Sequence, residues 1–214
     1  MSILDVKNDV SYCVGGFGEG LDHPECITWG SDGYAYAGGE GGQIYRIDVE
    51  NNHFEQFAQA PNFVGGLCQD GSGSLYICSG NKVYKTDNDG NLTEYSVGTP
   101  DVAMIGPNYP AFDKNGNLYV TDSGEWKKDN GKIFKINPGG QTEVWSELPN
   151  TFPNGICFSP SGTDLYVAVS LNPPRIEKIS INEAGEAGVV ETVIEIPNAV
   201  PDGLAFDADA NLYI

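Results

Sequence analysis

Side chains with carboxylate or amide oxygens recur at regular intervals along the 214-residue chain. They open similar segments at Glu25, Asn108, Asn154 and Asp202, and Gly65 opens a fifth segment. The five starting positions lie 40, 43, 46 and 48 residues apart. Hard cations prefer carboxylate and amide oxygens, whereas zinc prefers the imidazole and thiolate groups that this set lacks. If the fold brings the positions together, they form a divalent-cation site, and ligands from separate segments favour calcium over magnesium.

Turn formation is the alternative explanation for these residues. Asn and Asp next to Pro or Gly are common turn formers, so Asn154 or Asp202 alone would indicate only a turn. Glu25 is different because Glu is a poor turn former. Carboxylates and amides crowded together in a dry channel would also be poorly satisfied without a cation. The joint pattern therefore favours the metal site, and His23 is a candidate for its edge.

The elements that position these residues are short strands in repeated units. The aligned segments are ECITWGSDGYAYA, GGLCQDGSGSLYI, NYPAFDKNGNLYV, NGICFSPSGTDLYV and DGLAFDADANLYI. Each contains two strands, and third strands such as QIYRID and KVYKTD and fourth strands such as HFEQFA and LTEYSV follow them. Four strands per unit of roughly 40–50 residues are typical of a β-propeller. A β-sandwich or a stacked β-solenoid explains this period less well.

The sequence predicts a single all-β domain over residues 1–214, a β-propeller of four-stranded blades. It contains four blades and half of a fifth, so the propeller is expected to be incomplete at its C-terminus. Because a propeller ring must close to hide its sheet edges, we expect the segment around Ile3–Val14 to donate an outer strand to the last blade. The sequence is compatible with three explanations of the incomplete ring: the chain is part of a longer protein, the ring closes in an unusual way, or a second chain completes the propeller.

The amino-acid composition restricts the classes of molecule that the protein is expected to bind. The net charge is −19, from 11 Lys and Arg against 30 Asp and Glu, and such a surface repels nucleic-acid phosphates and anionic membranes. The first residues show neither a signal-peptide pattern nor a long apolar run, so a cytoplasmic location is expected. Five cysteines without a C-x-x-C pair are interpreted as structural thiols in a reducing compartment, with Cys68 and Cys157 as small buried strand residues.

Two local motifs resemble calcium loops but are interpreted as turns. DNDGN from Asp87 and DKNGN from Asp113 begin like an EF-hand loop, but their twelfth positions are Gly98 and Gly124, where a bidentate Glu is required. We therefore predict hairpin turns at both places. GGFGEG from Gly15 lacks the βαβ context of a dinucleotide-binding loop.

The motifs HPECITW, PNYPAFDKNGNLYVTDSG, FPNGICFSPSGTDLYVAVS and VPDGLAFDADANLYI resemble those of the senescence marker protein/gluconolactonase family. They are also similar to motifs of its strictosidine-synthase-like and diisopropyl-fluorophosphatase relatives. The resemblance implies a six-bladed propeller with a catalytic divalent metal, usually calcium, that hydrolyses lactones or related esters. By resemblance, Glu25, Asn154 and Asp202 match the metal ligands, and Asn108 matches an amide that binds metal or substrate.

The resemblance departs from the sugar-lactonase pattern beside Asn108. Sugar-lactonase members carry an Arg two residues before the matching Asn and an Asp directly after it. Here those positions hold Gly106 and Tyr109, which speaks against recognition of a sugar acid.

Together, these observations predict a calcium-dependent hydrolase of a lactone or other small ester, with another divalent cation as a possible replacement. Asp202 is the predicted catalytic residue because the resemblance implies that it activates water or attacks directly. Asn108 is the predicted substrate-binding residue and, with Glu25, Asn154 and Asp202, a metal ligand. The alternative is a non-catalytic propeller that binds a protein or peptide, similar to NHL-repeat proteins, in which any metal is structural.

Overall fold

The computed structural model describes residues 20–214, so the predicted closing strand around Ile3–Val14 lies outside the described residues. Within this range the fold is all-β, as predicted, and consists of antiparallel sheets joined by turns and loops. Four sheets have four strands each, and a fifth has two strands. In every four-stranded sheet, consecutive strands are neighbours, which is the up-and-down order of a propeller blade. The chain is thus a partial propeller of about four blades.

The strands follow the predicted repeat. Blade 1 contains β1 (Cys26–Trp29), β2 (Ala35–Gly38), β3 (Gln43–Asp48) and β4 (His53–Gln59). Blade 2 contains β5 (Val64–Gln69), β6 (Leu75–Ser79), β7 (Lys82–Thr86) and β8 (Leu92–Ser96). Blade 3 contains β9 (Pro107–Phe112), β10 (Leu118–Asp122), β11 (Lys132–Ile136) and β12 (Thr142–Ser146). Blade 4 contains β13 (Pro153–Phe158), β14 (Asp164–Val169), β15 (Arg175–Ile181) and β16 (Ala187–Glu195), and the half-blade contains β17 (Ala205–Phe206) and β18 (Leu212–Tyr213).

The two sequences that resemble calcium loops form hairpin turns, as predicted. The turn between β9 and β10 begins at Asp113, whose Oδ1 accepts the backbone N–H groups of Asn115 and Asn117 at 2.8 Å. Asp87 makes the same two contacts between β7 and β8. The carboxylates therefore hold their own turns together, in the way that Asp commonly does.

The hydrophobic core lies between neighbouring blades. Side chains of blades 2 and 3 form one buried cluster, and side chains of blades 3 and 4 form another. In blades 2, 3 and 4, the Tyr of the Leu-Tyr segment contacts an aromatic ring at the end of the next inner strand. The ring centroids of Tyr76–Phe112, Tyr119–Phe158 and Tyr166–Phe206 lie 5.0, 5.1 and 5.0 Å apart in edge-to-face geometry. The repeated aromatic positions thus join each blade to the next.

The inner strands approach one another closely at the central axis, and glycine makes this approach possible. β1, β5, β9, β13 and β17 contact each other in succession. A Cβ on Gly66 would lie 2.5 Å from the carbonyl oxygen of Asn108, and a Cβ on Gly155 would collide with the carbonyl oxygen of Asp202. Larger residues at these two positions would push neighbouring blades apart.

One face of blade 1 is apolar and accessible in the described residues. Ile27 is 64% exposed and Trp29 is 62% exposed on this face, beside the smaller Ala35 and Ala37. The opposite face of blade 1 is packed against blade 2. The segment Gly20–Ile214 contains no helix with the length and apolar character needed to cross a membrane.

Candidate metal site at the channel end

The predicted site positions coincide with irregularities in the inner strands. In blade 3, Asn108 and Tyr109 together lie opposite Thr121, because Pro110 pairs with Val120 and Pro107 pairs with Asp122. Two inner-strand residues therefore oppose one residue of the second strand. Such an arrangement is a β-bulge, which bends the strand and redirects its side chains.

Blades 2 and 4 have the same irregularity at the equivalent positions. Asn154 and Gly155 lie between the pairs Pro153–Val169 and Ile156–Val167, and Gly65 lies between two paired residues of β5. Gly65 carries no side chain at this position, and a Cβ there would lie 3.1 Å from the carbonyl oxygen of Asn108. Blade 3 therefore leaves little room for a side chain at this position, where the neighbouring repeats carry Glu25 and Asn108.

Asn154 presents an oxygen without a partner at this end of the channel. Its side chain is buried, and its Nδ2 donates a hydrogen bond to the Ser170 hydroxyl at 3.2 Å. Its Oδ1 is buried and accepts no hydrogen bond from any described residue. A buried amide oxygen without a donor is unfavourable, and a bound cation would satisfy it.

Asp202 lies beside Asn154 at the entry to the half-blade. The loss of hydration around its carboxyl raises its pKa above the usual value, and a hydrogen bond from the Asn154 side chain offsets part of this effect. The backbone is anchored as well, because Gly155 N–H donates to the Asp202 carbonyl at 3.0 Å. The structure therefore brings two predicted ligands, Asn154 and Asp202, into direct contact.

Glu25 reaches the same region from blade 1. It lines a cavity of about 330 Å³ together with Tyr109 of blade 3 and Gly203 of the half-blade. Burial raises the pKa of the Cys26 thiol to about 12, and the carboxylates of Glu25 and Asp202 act in the same direction. Glu25 directly precedes Cys26 in the chain, so the effect of Asp202 on the same thiol indicates that the half-blade lies close to the start of β1.

Asn108 is half-buried, and residues at the end of β10 hold its segment in place. The hydroxyl of Thr121 accepts the Tyr109 N–H at 3.0 Å and donates to the Asn154 carbonyl at 2.7 Å, so it links the bulges of two blades. The fully buried carboxylate of Asp122 accepts the N–H groups of Ile105 and Gly106, both at 2.7 Å. These contacts fix the chain as it enters β9.

Tyr109 supplies an uncharged phenol to the cavity. Burial raises its pKa to about 12, and nearby thiols and Asp202 act in the same direction. The phenol therefore stays protonated at neutral pH and can donate a hydrogen bond. Most of the other cavity walls are apolar, including Leu21, Ile27 and Val49.

His23 does not join the predicted ligands in these contacts. Its Nδ1 lies 3.2 Å from Asp22 Oδ1 and 3.0 Å from Glu40 Oε2, and its side chain is 77% exposed. These three residues could hold a metal ion, but exposed acidic groups of this kind are common without one. We assign no function to this group.

The donor set around the channel end fits a hard cation. It contains the carboxylates of Glu25 and Asp202, the partnerless amide oxygen of Asn154 and the nearby amide of Asn108. The second-strand residues that support this set, Thr121 and Ser170, were not identified from the sequence. Ser and Thr are common at strand ends, and only the fold shows that their hydroxyls face a neighbouring blade.

Comparison with known proteins identifies a family for this chain. Residues 23–214 match the family model described as SMP-30/gluconolactonase/LRE-like region. A search of curated proteins found no match.

Solved structures show the same fold at low sequence identity. A gluconolactonase from Xanthomonas campestris is 19% identical with a TM-score of 0.81, and the match covers 90% of this chain and 69% of that chain. Virginiamycin B lyase from Staphylococcus aureus is 21% identical with a TM-score of 0.64, covering 88% and 61%. An auxiliary nutrient binding protein from Bacteroides thetaiotaomicron is 17% identical with a TM-score of 0.68, covering 89% and 46%.

At these identities the solved structures establish the propeller architecture, while their different activities show that the architecture alone does not determine function. The family model, by contrast, matches almost the whole described chain. The chain therefore belongs to the SMP-30/gluconolactonase/LRE-like family.

Proposed function

We propose that the protein is a divalent-metal-dependent hydrolase of a lactone or other small ester, with calcium as the metal. The observation that carries this proposal is the buried Oδ1 of Asn154, which accepts no hydrogen bond from any described residue and lies beside the carboxyl of Asp202. Without a cation this buried amide oxygen is unfavourable, and a dication held between it and the Asp202 carboxylate would satisfy it. Family membership supports the hydrolase class.

Four residues would bind the metal and carry out the reaction. Glu25, Asn154 and Asp202 would hold the cation, with Asn108 as a further ligand or as a hydrogen-bond partner of the substrate. A bound dication would polarise the carbonyl of the ester and stabilise the negative charge that develops on its oxygen. Asp202 would accept a proton from the attacking water or attack the carbonyl directly.

The cavity beside Glu25 favours an uncharged substrate. Its walls are mainly apolar, and Tyr109 offers one neutral hydrogen-bond donor. The described residues that line it include no Lys or Arg that would bind a carboxylate or phosphate. We therefore propose a neutral, weakly polar lactone or ester as the substrate class.

The test measures hydrolysis of a panel of aliphatic, aromatic and sugar lactones and nitrophenyl esters, with added calcium and with a chelator. We expect hydrolysis that the chelator abolishes and calcium restores. Asp202→Asn should lower kcat/KM by about 100-fold or more, since this is the usual minimum contribution of a general base. Asp207→Asn is the matched control, because Asp207 lies in the same half-blade but holds a turn.

Other outcomes of this experiment would indicate a reaction without a metal, a structural metal or a binding protein. Equal rates with and without chelator would remove the metal from the mechanism. Unchanged activity together with a lower melting temperature in chelator would make the cation structural. Tight metal binding without hydrolysis of any panel member would favour a binding protein over an enzyme.

A further inference from the structure

Ser170 contacts the side chain of Asn154 and the backbone of the residue that precedes Asp202. It follows β14 directly and is 1% exposed. Its Oγ donates to the carbonyl of Pro201 at 2.8 Å and accepts the Asn154 Nδ2 at 3.2 Å. One hydroxyl group therefore contacts the side chain of one proposed ligand and the backbone directly before the other.

The hydroxyl determines which way the Asn154 amide faces. Ser has a single hydroxyl proton, and in Ser170 this proton is directed to the Pro201 carbonyl. Ser170 can therefore only accept from Asn154, which requires the amide nitrogen on its side. A rotated amide would place two acceptor oxygens against each other, so the contact directs Oδ1 away from Ser170.

The same bond fixes the chain that carries Asp202. Pro201 is buried, and its carbonyl is held by Ser170, while the next carbonyl is held by Gly155 N–H. Blade 4 thus anchors two successive peptide groups at the entry to the half-blade.

We propose that Ser170 is a positioning residue of the metal site, which orients the Asn154 oxygen toward a cation shared with Asp202. This inference rests on the proposed function. Groups that hydrogen-bond to metal ligands restrict their orientation, and their removal typically weakens metal binding by about 10- to 100-fold.

Blade 3 offers a matched control. Ser123 occupies the equivalent position after β10, is 3% exposed, and donates to the Pro153 carbonyl at 2.8 Å. Its hydroxyl contacts no ligand side chain in the described residues. Ser123→Ala and Ser170→Ala therefore remove the same kind of hydrogen bond between blades. Only Ser170→Ala also removes the acceptor that holds the side-chain amide of Asn154.

The experiment measures calcium affinity by titration calorimetry and stability by thermal unfolding in chelator. We expect Ser170→Ala to weaken calcium binding by about 10-fold or more, and Ser123→Ala to change it by less than about threefold. Ser170→Cys is the second variant, because the thiol fills similar space but forms weak hydrogen bonds. It should fold and also weaken binding.

The outcomes distinguish this inference from the proposed function. Wild-type affinity in both Ser170 variants would overturn the positioning role, as would an equal loss in Ser123→Ala. A wild-type protein that binds no calcium, manganese or zinc would overturn the proposed function and this inference with it.

Discussion

At the scale of single residues, the side chain of Asn154 combines burial, a defined hydrogen bond and an oxygen without a partner. Its position could be predicted from the sequence because the repeat places it in line with Glu25, Asn108 and Asp202. Its orientation could not, since it depends on Ser170, which lies 16 residues away, directly after another strand. The types of the candidate ligand residues can therefore be predicted from the sequence, whereas the contacts that orient their side chains require the fold.

Replacement of Asn154 by Ala should distinguish the contribution of this side chain to metal binding from its contribution to the stability of the fold. Without calcium, the variant should lose little stability, because it removes an unsatisfied oxygen together with the hydrogen bonds that Nδ2 donates. With calcium, the wild-type melting temperature should rise and that of Asn154→Ala should rise much less. Melting in chelator and in excess calcium measures both effects.

Asn137→Ala provides the comparison for this experiment. Asn137 holds an exposed turn, and its Oδ1 accepts the N–H groups of Gly139 and Gln141. Its replacement should lower the melting temperature equally in both conditions. An equal calcium-induced rise in Asn154→Ala and in wild type would show that Asn154 is not a ligand.

At the scale of strands and turns, the repeat was predictable in type and approximate position. Third strands such as Gln43–Asp48 and Lys82–Thr86 lie where the sequence predicts them. The bulges at Asn108 and Asn154 were not predictable, because alternation of apolar and polar residues does not reveal which residue lacks a partner. The turns depend on carboxylates that accept several hydrogen bonds, and Asp70 is the best connected of them.

Asp70 should make stability depend on pH. Burial alone would raise its pKa, but hydrogen bonds from Ser72 and Ser74 and the charge of Lys85 outweigh this effect and lower it. A carboxyl with a lowered pKa in the folded state stabilises the protein above its unfolded pKa. This contribution is lost as pH falls through the folded pKa, which lies below the usual 3.8.

Asp70→Asn should therefore reduce the free energy of unfolding by about 1 kcal/mol at pH 7, where its charged hydrogen bonds are present. The difference from wild type should shrink as the pH approaches 3. Urea unfolding between pH 7 and pH 3 measures it, with Asp101→Asn in an exposed loop as control. A difference that stays constant over this range would contradict the assignment.

At the scale of the whole molecule, blades are joined by buried apolar clusters and by close contacts of the inner strands. The radial arrangement could be predicted because one four-stranded unit cannot bury both of its faces. How closely two blades approach each other at a given glycine could not be predicted. A glycine in a strand can mark a bulge, a bend or a close approach of another backbone. Gly155 and Gly203 illustrate this, since they align in the repeat but have different surroundings.

Gly155→Ala should destabilise the protein, whereas Gly203→Ala should not. A Cβ at Gly155 would collide with the Asp202 carbonyl oxygen and lie 2.9 Å from the Gly203 Cα, while a Cβ at Gly203 would meet nothing within 4 Å. Overpacking of this kind costs about 1–3 kcal/mol, and a substitution in open space changes stability by less than about 0.5 kcal/mol. Thermal unfolding of the two variants in chelator provides the comparison.

Similar melting temperatures for these two variants would show that blade 4 and the half-blade do not pack as closely as the structure indicates. Calcium titration of the same proteins adds a second measurement. Gly155→Ala should also bind calcium more weakly, because it displaces the Asp202 backbone.

The extra residues in the inner strands of blades 3 and 4 have a consequence for how such a molecule acquires new chemistry. A residue without a partner across the ladder can change its side chain while strand pairing and the apolar contacts between blades stay intact. Asn108 and Asn154 occupy such positions, so substitutions there would alter what the channel binds more than whether the chain folds. The scaffold therefore has positions around its axis at which side chains can be exchanged. Substitutions in one blade at a time could then accommodate a different substrate or ion.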